Sequence, residues 1–323
     1  IWTFDSVNQQ IFKIEYIDDK YCRITARHSD KVLTVEKNNV VQTEYDGADK
    51  QLWSFEIAGS GYYKIKSKST NLYLDIVDNK TANGTNVQVH TANKSNAQKF
   101  RFKELSIKYG IDVSAYNGNI NWSEVRKSGR VDYAIIRAGY RGYGTGKIVT
   151  DKKFERNVKE ATKNGIDIGL YFFTQAVNEQ EAIEEANYVL DLVKKYKINV
   201  KYPIVIDTEY STSNGEHNGR ADKLDIATRT AVCRAFCDTI KNAGYTPAVY
   251  ANRNWFYDNL DVNQLNNCDI WVAQYTGDVN KTTDYRYRYN MWQYTSSESV
   301  PGVNAPVKDG KANVDMSICY KKY

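Results

Sequence analysis

Apolar and polar positions along the chain fall into two textures, and the change comes near residue 106. Over the first hundred residues, short Tyr- and Val-rich runs alternate with Asn-, Asp- and Ser-rich turns, with no helical period, so this part reads as all-β. From "SIKYGIDV" onward, apolar strand candidates occur at 109–114, 132–138, 166–173, 203–209, 245–251, 269–275, 289–294 and 313–318. Residues 151–165, 178–196 and 220–244 carry helical periodicity, the second with an acidic start and a basic end. Strands alternating with helices predict a parallel (β/α) barrel. Weak helical signal between the last strands predicts an irregular one, with five β/α units followed by three strands. The expected fold is therefore α/β, an irregular TIM-like barrel over 107–323, with an all-β domain over 1–106.

The all-β part repeats. "KYCRITARHSDKVLTV" (20–35) aligns with "GYYKIKSKSTNLYLDI" (61–76), and a Gln-x-aromatic step recurs at Gln10–Phe12, Gln51–Trp53 and Gln98–Phe100. Such spacing marks units that cannot bury their apolar faces alone. These residues resemble the ricin-type β-trefoil lectins, which have three such units. The chain shows two and the tail of another, so the resemblance implies a domain incomplete at its N-terminus. It also implies a sugar site at Asp75, with Asn86, Gln88 and His90 beside it; the preceding unit has Thr34 where Asp75 falls. On the plainer reading, Asp75 caps a turn and Trp53 fills the core.

Candidate chemistry gathers in the second part. In "KYPIVIDTEYS" (201–211), Asp207 and Glu209 follow a β-branched run and share one strand face, ~6 to 7 Å apart at the backbone. Chemistry in such barrels sits at the carboxyl ends of strands. Asp112 on the first strand and Asp315 on the last should therefore join them, since first and last strands are neighbours in a closed barrel. Arg137, Tyr171, Tyr250, Trp292 and Gln293 lie at comparable strand ends and are candidates for binding substrate; any of these aromatics can equally be core. Carboxylates among flat rings suit a carbohydrate. A site for an oxygen-liganded cation is the competing reading, but no metal or other cofactor is required.

Composition narrows the class. Hydrophobic residues at 41% and charged residues at 26% are ordinary for a globular protein. No apolar run is long enough to span a bilayer, so membrane insertion is not expected. A net charge of +5 is spread evenly, with no basic arm, which argues against nucleic acid. The five cysteines are widely spaced and read as free and buried.

"YGIDVSAYNGNINW", "YAIIRAGY", "GLYFF", "PIVIDTEYS", "AVYAN", "IWVAQY", "MWQYT" and "NVDMS" resemble, in order, the family 25 glycoside hydrolases over about 107–323. These are the muramidase-type lysozymes that cut the β-1,4 link between N-acetylmuramic acid and N-acetylglucosamine. The resemblance implies Glu209 as general acid and Asp207 as a charged partner acting through the substrate N-acetyl group. Asp112 and Asp315 complete the acidic cluster. It further implies bacterial peptidoglycan as partner, other glycans held by the N-terminal domain, and a monomer working outside the cell or at the wall. Phe172 stands where many members have His, a change expected at the cleft. A non-catalytic wall-binding protein and a chitinase-like enzyme are the alternatives.

Overall fold

The structure is a computed structural model that describes residues 10–103, 107–213, 216–279, 283–308 and 311–323. The chain forms two compact units, Ile1–Leu105 and Ser106–Tyr323.

Among its described residues the first unit contains eight strands: β1 (Phe12–Tyr16), β2 (Cys22–Ala26), β3 (Val32–Glu36), β4 (Asn39–Thr43), β5 (Trp53–Gly59), β6 (Tyr62–Ser67), β7 (Tyr73–Ile76) and β8 (Val87–His90). They pair in the order β1-β2-β3-β4-β8-β7-β6-β5, and a Cys22–Trp53 pairing brings β2 back against β5. Every pairing is antiparallel. Cys22, Ile24, Val35, Trp53, Ile65, Leu74 and Val89 form its core. Trp53 is fully buried and its indole N–H donates to the Leu33 carbonyl, so it is a core residue.

The repeated glutamines explain themselves here. Gln51 Nε2 donates to the Glu44 carbonyl at 2.7 Å, and its Oε1 accepts from the Asp46 amide at 2.9 Å. Gln98 does the same seven and five residues upstream, to the Thr91 carbonyl at 2.8 Å and from the Asn93 amide at 3.0 Å. Both side chains are fully buried. Each clamps the loop that precedes it by pairing a backbone carbonyl and a backbone amide of that loop.

In the second unit eight strands close a barrel: β9 (Lys108–Val113), β10 (Tyr133–Arg141), β11 (Asp167–Phe173), β12 (Val200–Asp207), β13 (Pro247–Asn252), β14 (Asp269–Ala273), β15 (Met291–Glu298) and β16 (Val314–Cys319). Helices α1 (Trp122–Lys127), α2 (Phe154–Lys163), α3 (Glu179–Tyr196), α4 (Ile226–Asn242) and α5 (Arg253–Asp258) follow the first five in turn. Helix α3 begins where Asn178 accepts from the Glu181 amide, and α4 where Asp225 accepts from the Thr228 amide. The helix expected from residue 220 thus starts six residues later.

One expectation is corrected. Strands β9 to β15 run parallel, but β16 lies antiparallel between β15 and β9. Among the described residues no helix separates β15 from β16, and without a crossover a strand returns in the opposite direction. The barrel closes, but it is not all-parallel.

Strand alternation sorts the side chains. Tyr133, Ile135, Val205, Ala248, Tyr250, Trp271, Ala273, Met291 and Cys319 point inward and fill the barrel. Ile111, Ile136, Ile206, Val249, Val272 and Trp292 point outward, into the layer shared with the helices. The lower interior is aromatic: Tyr133 stacks on Tyr202 at 4.1 Å. Room for the Tyr133 ring comes from Gly110, where a Cβ would lie 2.2 Å from it. Trp292 is therefore corrected from candidate ligand to core: it is fully buried, and its indole N–H donates to the Gln274 carbonyl. Its neighbour Gln293 takes the inward direction, and adjacent strand residues cannot both do so. Phe172 is corrected on the same ground. It packs against Tyr188 in the helix layer, while Tyr171 faces the interior.

Candidate active site

The upper end of the barrel opens into a cleft of about 210 Å³ lined by Asp112, Tyr171, Asp207, Glu209, Tyr250, Trp271, Tyr275 and Asp315. All four sequence-designated acids meet there. Asp112 and Asp315 are direct partners in the antiparallel β9–β16 register. Asp315 thus reaches the mouth near the start of its strand, whereas Asp112 does so near the end of its own. Asp207 ends β12, and Glu209 lies two residues beyond.

The acids lie in two neighbouring carboxyl pairs, Asp112 with Asp315 and Asp207 with Glu209. Burial is the first cause of every shift. It pushes Asp112 well above the usual carboxylate range, with the Asp315 charge adding to it. Asp207 rises likewise through burial, then through the charges of Glu209 and Asp112, against a smaller pull from Arg137. Glu209 is pushed up to about 6 by burial and by Asp315, while a hydrogen bond from Tyr250 opposes the rise. Asp315 is also raised by burial. Buried together in one mouth, the four carboxyls keep their protons to higher pH than exposed carboxylates do.

Within the Asp207–Glu209 pair Asp207 is the deeper of the two. One Asp207 oxygen, Oδ1, is buried with no hydrogen-bond partner.

Polar side chains tie the acids to the wall. Gln293 Nε2 donates to Asp112 Oδ2 at 2.8 Å, and its Oε1 accepts from the Tyr250 hydroxyl at 2.8 Å and the Tyr275 hydroxyl at 3.1 Å. Tyr250 has one proton and two acceptors in reach, Gln293 and Glu209. The Trp271 indole N–H donates to Ser317 Oγ at 3.0 Å, and its ring meets Tyr250 edge-on at 4.6 Å. Arg137 does not line the cleft; Asp151 holds its Nε and Nη2, each at 2.7 Å. The segment leaving Glu209 is pinned by Asp222, which accepts from the Ser211 and Gly219 amides, and by an Arg220–Glu181 ion pair at 2.7 Å.

Sequence reasoning missed Trp271 and Tyr275. Strand parity would have selected Trp271 over Trp292, because Tyr250, Trp271 and Met291 are register partners. Tyr275 lies past its strand, where parity gives no signal. Among the described residues no group of three or more His, Cys, Asp or Glu is placed to hold a metal ion. No described helix is long and apolar enough to cross a membrane. All five thiols are buried and free.

In the first unit, Asp75 is buried and accepts from Gln88 Nε2 at 3.0 Å, the two being register partners. Asn86 donates to Asn39 at 2.9 Å, and exposed His90 sets its ring Nδ1 near the Thr91 carbonyl and hydroxyl. Thr34, at the equivalent place in the first repeat, bonds Thr43 instead.

The model of the ricin-type beta-trefoil lectin domain-like family matches residues 49–129, running past the end of the first compact unit. The model of glycosyl hydrolases family 25 matches residues 111–303. The uncharacterized protein YegX of Escherichia coli K12 is 26% identical over 204 residues, covering 62% of this chain and 67% of that protein. The lysozyme of Lactococcus phage mv1 is 30% identical over 204 residues, covering 61% of this chain and 90% of the phage protein. Among solved structures, the modular autolysin LytC of Streptococcus pneumoniae, in complex with a synthetic peptidoglycan ligand, is similar with a TM-score of 0.56 at 25% identity. That likeness covers 95% of this chain and 67% of LytC. With a family model matched over more than half of its residues, the chain belongs to family 25 of the glycosyl hydrolases and is a glycoside hydrolase.

Proposed function

We propose that the barrel mouth cleaves the β-1,4 bond between N-acetylmuramic acid and N-acetylglucosamine in peptidoglycan, with Glu209 as general acid. The observation that carries the residue roles is the buried, adjacent Asp207–Glu209 pair at the cleft, in which Asp207 Oδ1 has no partner. Glycosidic cleavage needs a proton for the leaving oxygen and a group to satisfy the oxocarbenium-like centre. An N-acetyl N–H donating to Asp207 Oδ1 stabilises the charged form of Asp207. Glu209, the more open of the two, then carries the proton and faces the leaving oxygen. Charged Asp207 orients the acetamide so that its carbonyl oxygen attacks the anomeric carbon; water later opens that ring, and the configuration is retained. Asp112 and Asp315 hold negative charge beneath the developing cation. Peptidoglycan as substrate is supported by the family, by the phage lysozyme and by the ligand of LytC.

The barrel reads as an irregular relative of the TIM type, and the enzyme acts outside the cell or at the wall as a monomer. The unit before it reads as a carbohydrate-binding trefoil, tethering the enzyme to wall or other glycans around Asp75, Asn86, Gln88 and His90. Purified peptidoglycan treated with wild type and with Glu209→Gln tests the main reading, by mass spectrometry of new reducing ends. Muramic acid ends from wild type, cut at least ~100-fold by the substitution, are expected. Glucosamine ends would place the cut at the wrong bond. Wall binding without cleavage would leave a recogniser in place of an enzyme.

A further inference from the structure

Tyr116 is 77% exposed, the second most exposed of the large apolar or aromatic side chains described, yet its surroundings are built rather than loose. It sits in the turn Ala115–Asn117, four residues beyond Asp112. Ser114 and Asn117 close that turn reciprocally, each side chain accepting from a backbone amide within it. The Ala115 amide donates to Asp151 Oδ2 at 3.0 Å, and Asn117 Nδ2 reaches the Ala305 carbonyl. Arg137 then lies over the ring, its Cζ 5.1 Å from the centroid, held there by the same Asp151 carboxylate. One ring face is covered by a guanidinium that is itself fixed, and the other is open to solvent.

The placement gives this platform a use. Arg137 stands on β10, two residues beyond Ile135, the register partner of Asp112, and is itself the register partner of Tyr171 in the cleft wall. Tyr275, 57% exposed and part of the cleft wall, follows β14. In the ring of eight strands β10 and β14 are four apart, on opposite sides of the mouth, with the acids between them.

We propose that Tyr116 is a sugar-stacking subsite for a glycan strand that enters past Tyr275, crosses the acids and continues over the β9–β10 rim. The ligand is a saccharide longer than the cleft itself, held by its apolar C–H face on a ring whose orientation is paid for in advance by Asp151 and Arg137. The inference rests on the proposed glycosidase reading and adds to it a preference for long strands.

The test is steady-state cleavage by the full chain of two purified substrates, long peptidoglycan glycan strands and the shortest peptidoglycan oligosaccharide that wild type cuts. Tyr116→Ala is expected to raise KM on long strands by about tenfold, the equivalent of ~1.4 kcal/mol. On those strands kcat should stay within about twofold, and the short substrate should show no comparable KM change. Tyr116→Trp, which keeps a flat face, should restore the long-strand KM. Equal effects on both substrates, a fall in kcat alone, or no effect would overturn the subsite. Melting temperature measured alongside separates these outcomes from misfolding. Wild type inactive on both substrates would instead sink the glycosidase reading, and the subsite with it.

Discussion

Replacing Tyr250 by Phe should move the alkaline limb of the pH–activity profile upward, although it removes an atom from the active site. In the proposed role Glu209 is the acid, so activity is expected below its pKa and should be lost as pH rises through it. Its ordinary value of 4.5 is raised to about 6. At pH 6 that keeps about half of it protonated, against about 3% for an unshifted carboxyl, a gain of roughly sixteenfold in the competent form. The Tyr250 hydrogen bond opposes this by stabilising the charged form. A hydrogen bond to a charged group contributes about 1.5 kcal/mol, or about one pH unit, so Tyr250→Phe should shift the limb upward by about that much. The substitution is geometrically contained, because Tyr275 still donates to Gln293 and Gln293 still holds Asp112. Asp315→Asn makes the opposite change. Its charge raises Glu209, so the limb should move to lower pH. The assay is reducing-end release as kcat/KM between pH 4 and 9, which reports the free enzyme. A Tyr250→Phe limb that stays or moves toward acid, or an Asp315→Asn limb that moves toward alkali, would refute this account of Glu209.

Two further substitutions test placement, each by thermal or denaturant unfolding. Trp292→Ala should destabilise the barrel by about 3–5 kcal/mol, as expected for a large buried side chain. A KM effect without loss of stability would return Trp292 to the cleft. Gln98→Ala removes the hydrogen bonds to the Thr91 carbonyl and from the Asn93 amide, at about 0.5–1.5 kcal/mol each. It should lower the unfolding transition of the first unit and leave barrel activity unchanged; a stability equal to wild type would show that the clamp is dispensable.

Much of the site was legible because its residues lie on strands, where alternation is strict. Asp112, Asp207 and Asp315 are interior positions on their strands, and the acidic pattern alone brought them together. Tyr171 and Tyr250 follow the same logic. Trp292 was misplaced because residue type outweighed parity: Trp271 and Trp292 both look like sugar platforms, and only direction separates them. The reversal of β16 was hidden because an apolar strand reads alike in either direction. Tyr116 and Tyr275 carry no periodic signal at all, lying in turns whose shape depends on Asp151, Gln293 and other partners far along the chain. In the first unit, the repeat was evident, but the purpose of its glutamines emerged only from the loops they close.

The antiparallel return of β16 has a consequence for how the mouth is completed. Asp315 meets Asp112 only by crossing about two hundred residues of sequence and docking between β9 and β15. Until then the barrel has a seam, Asp112 lacks its partner, and the mouth lacks one wall. A chain stopped before β16 lacks Asp315, and with it one of the charges that raise Glu209. The complete acidic mouth therefore depends on β16, which a truncation before residue 314 would remove together with Asp315.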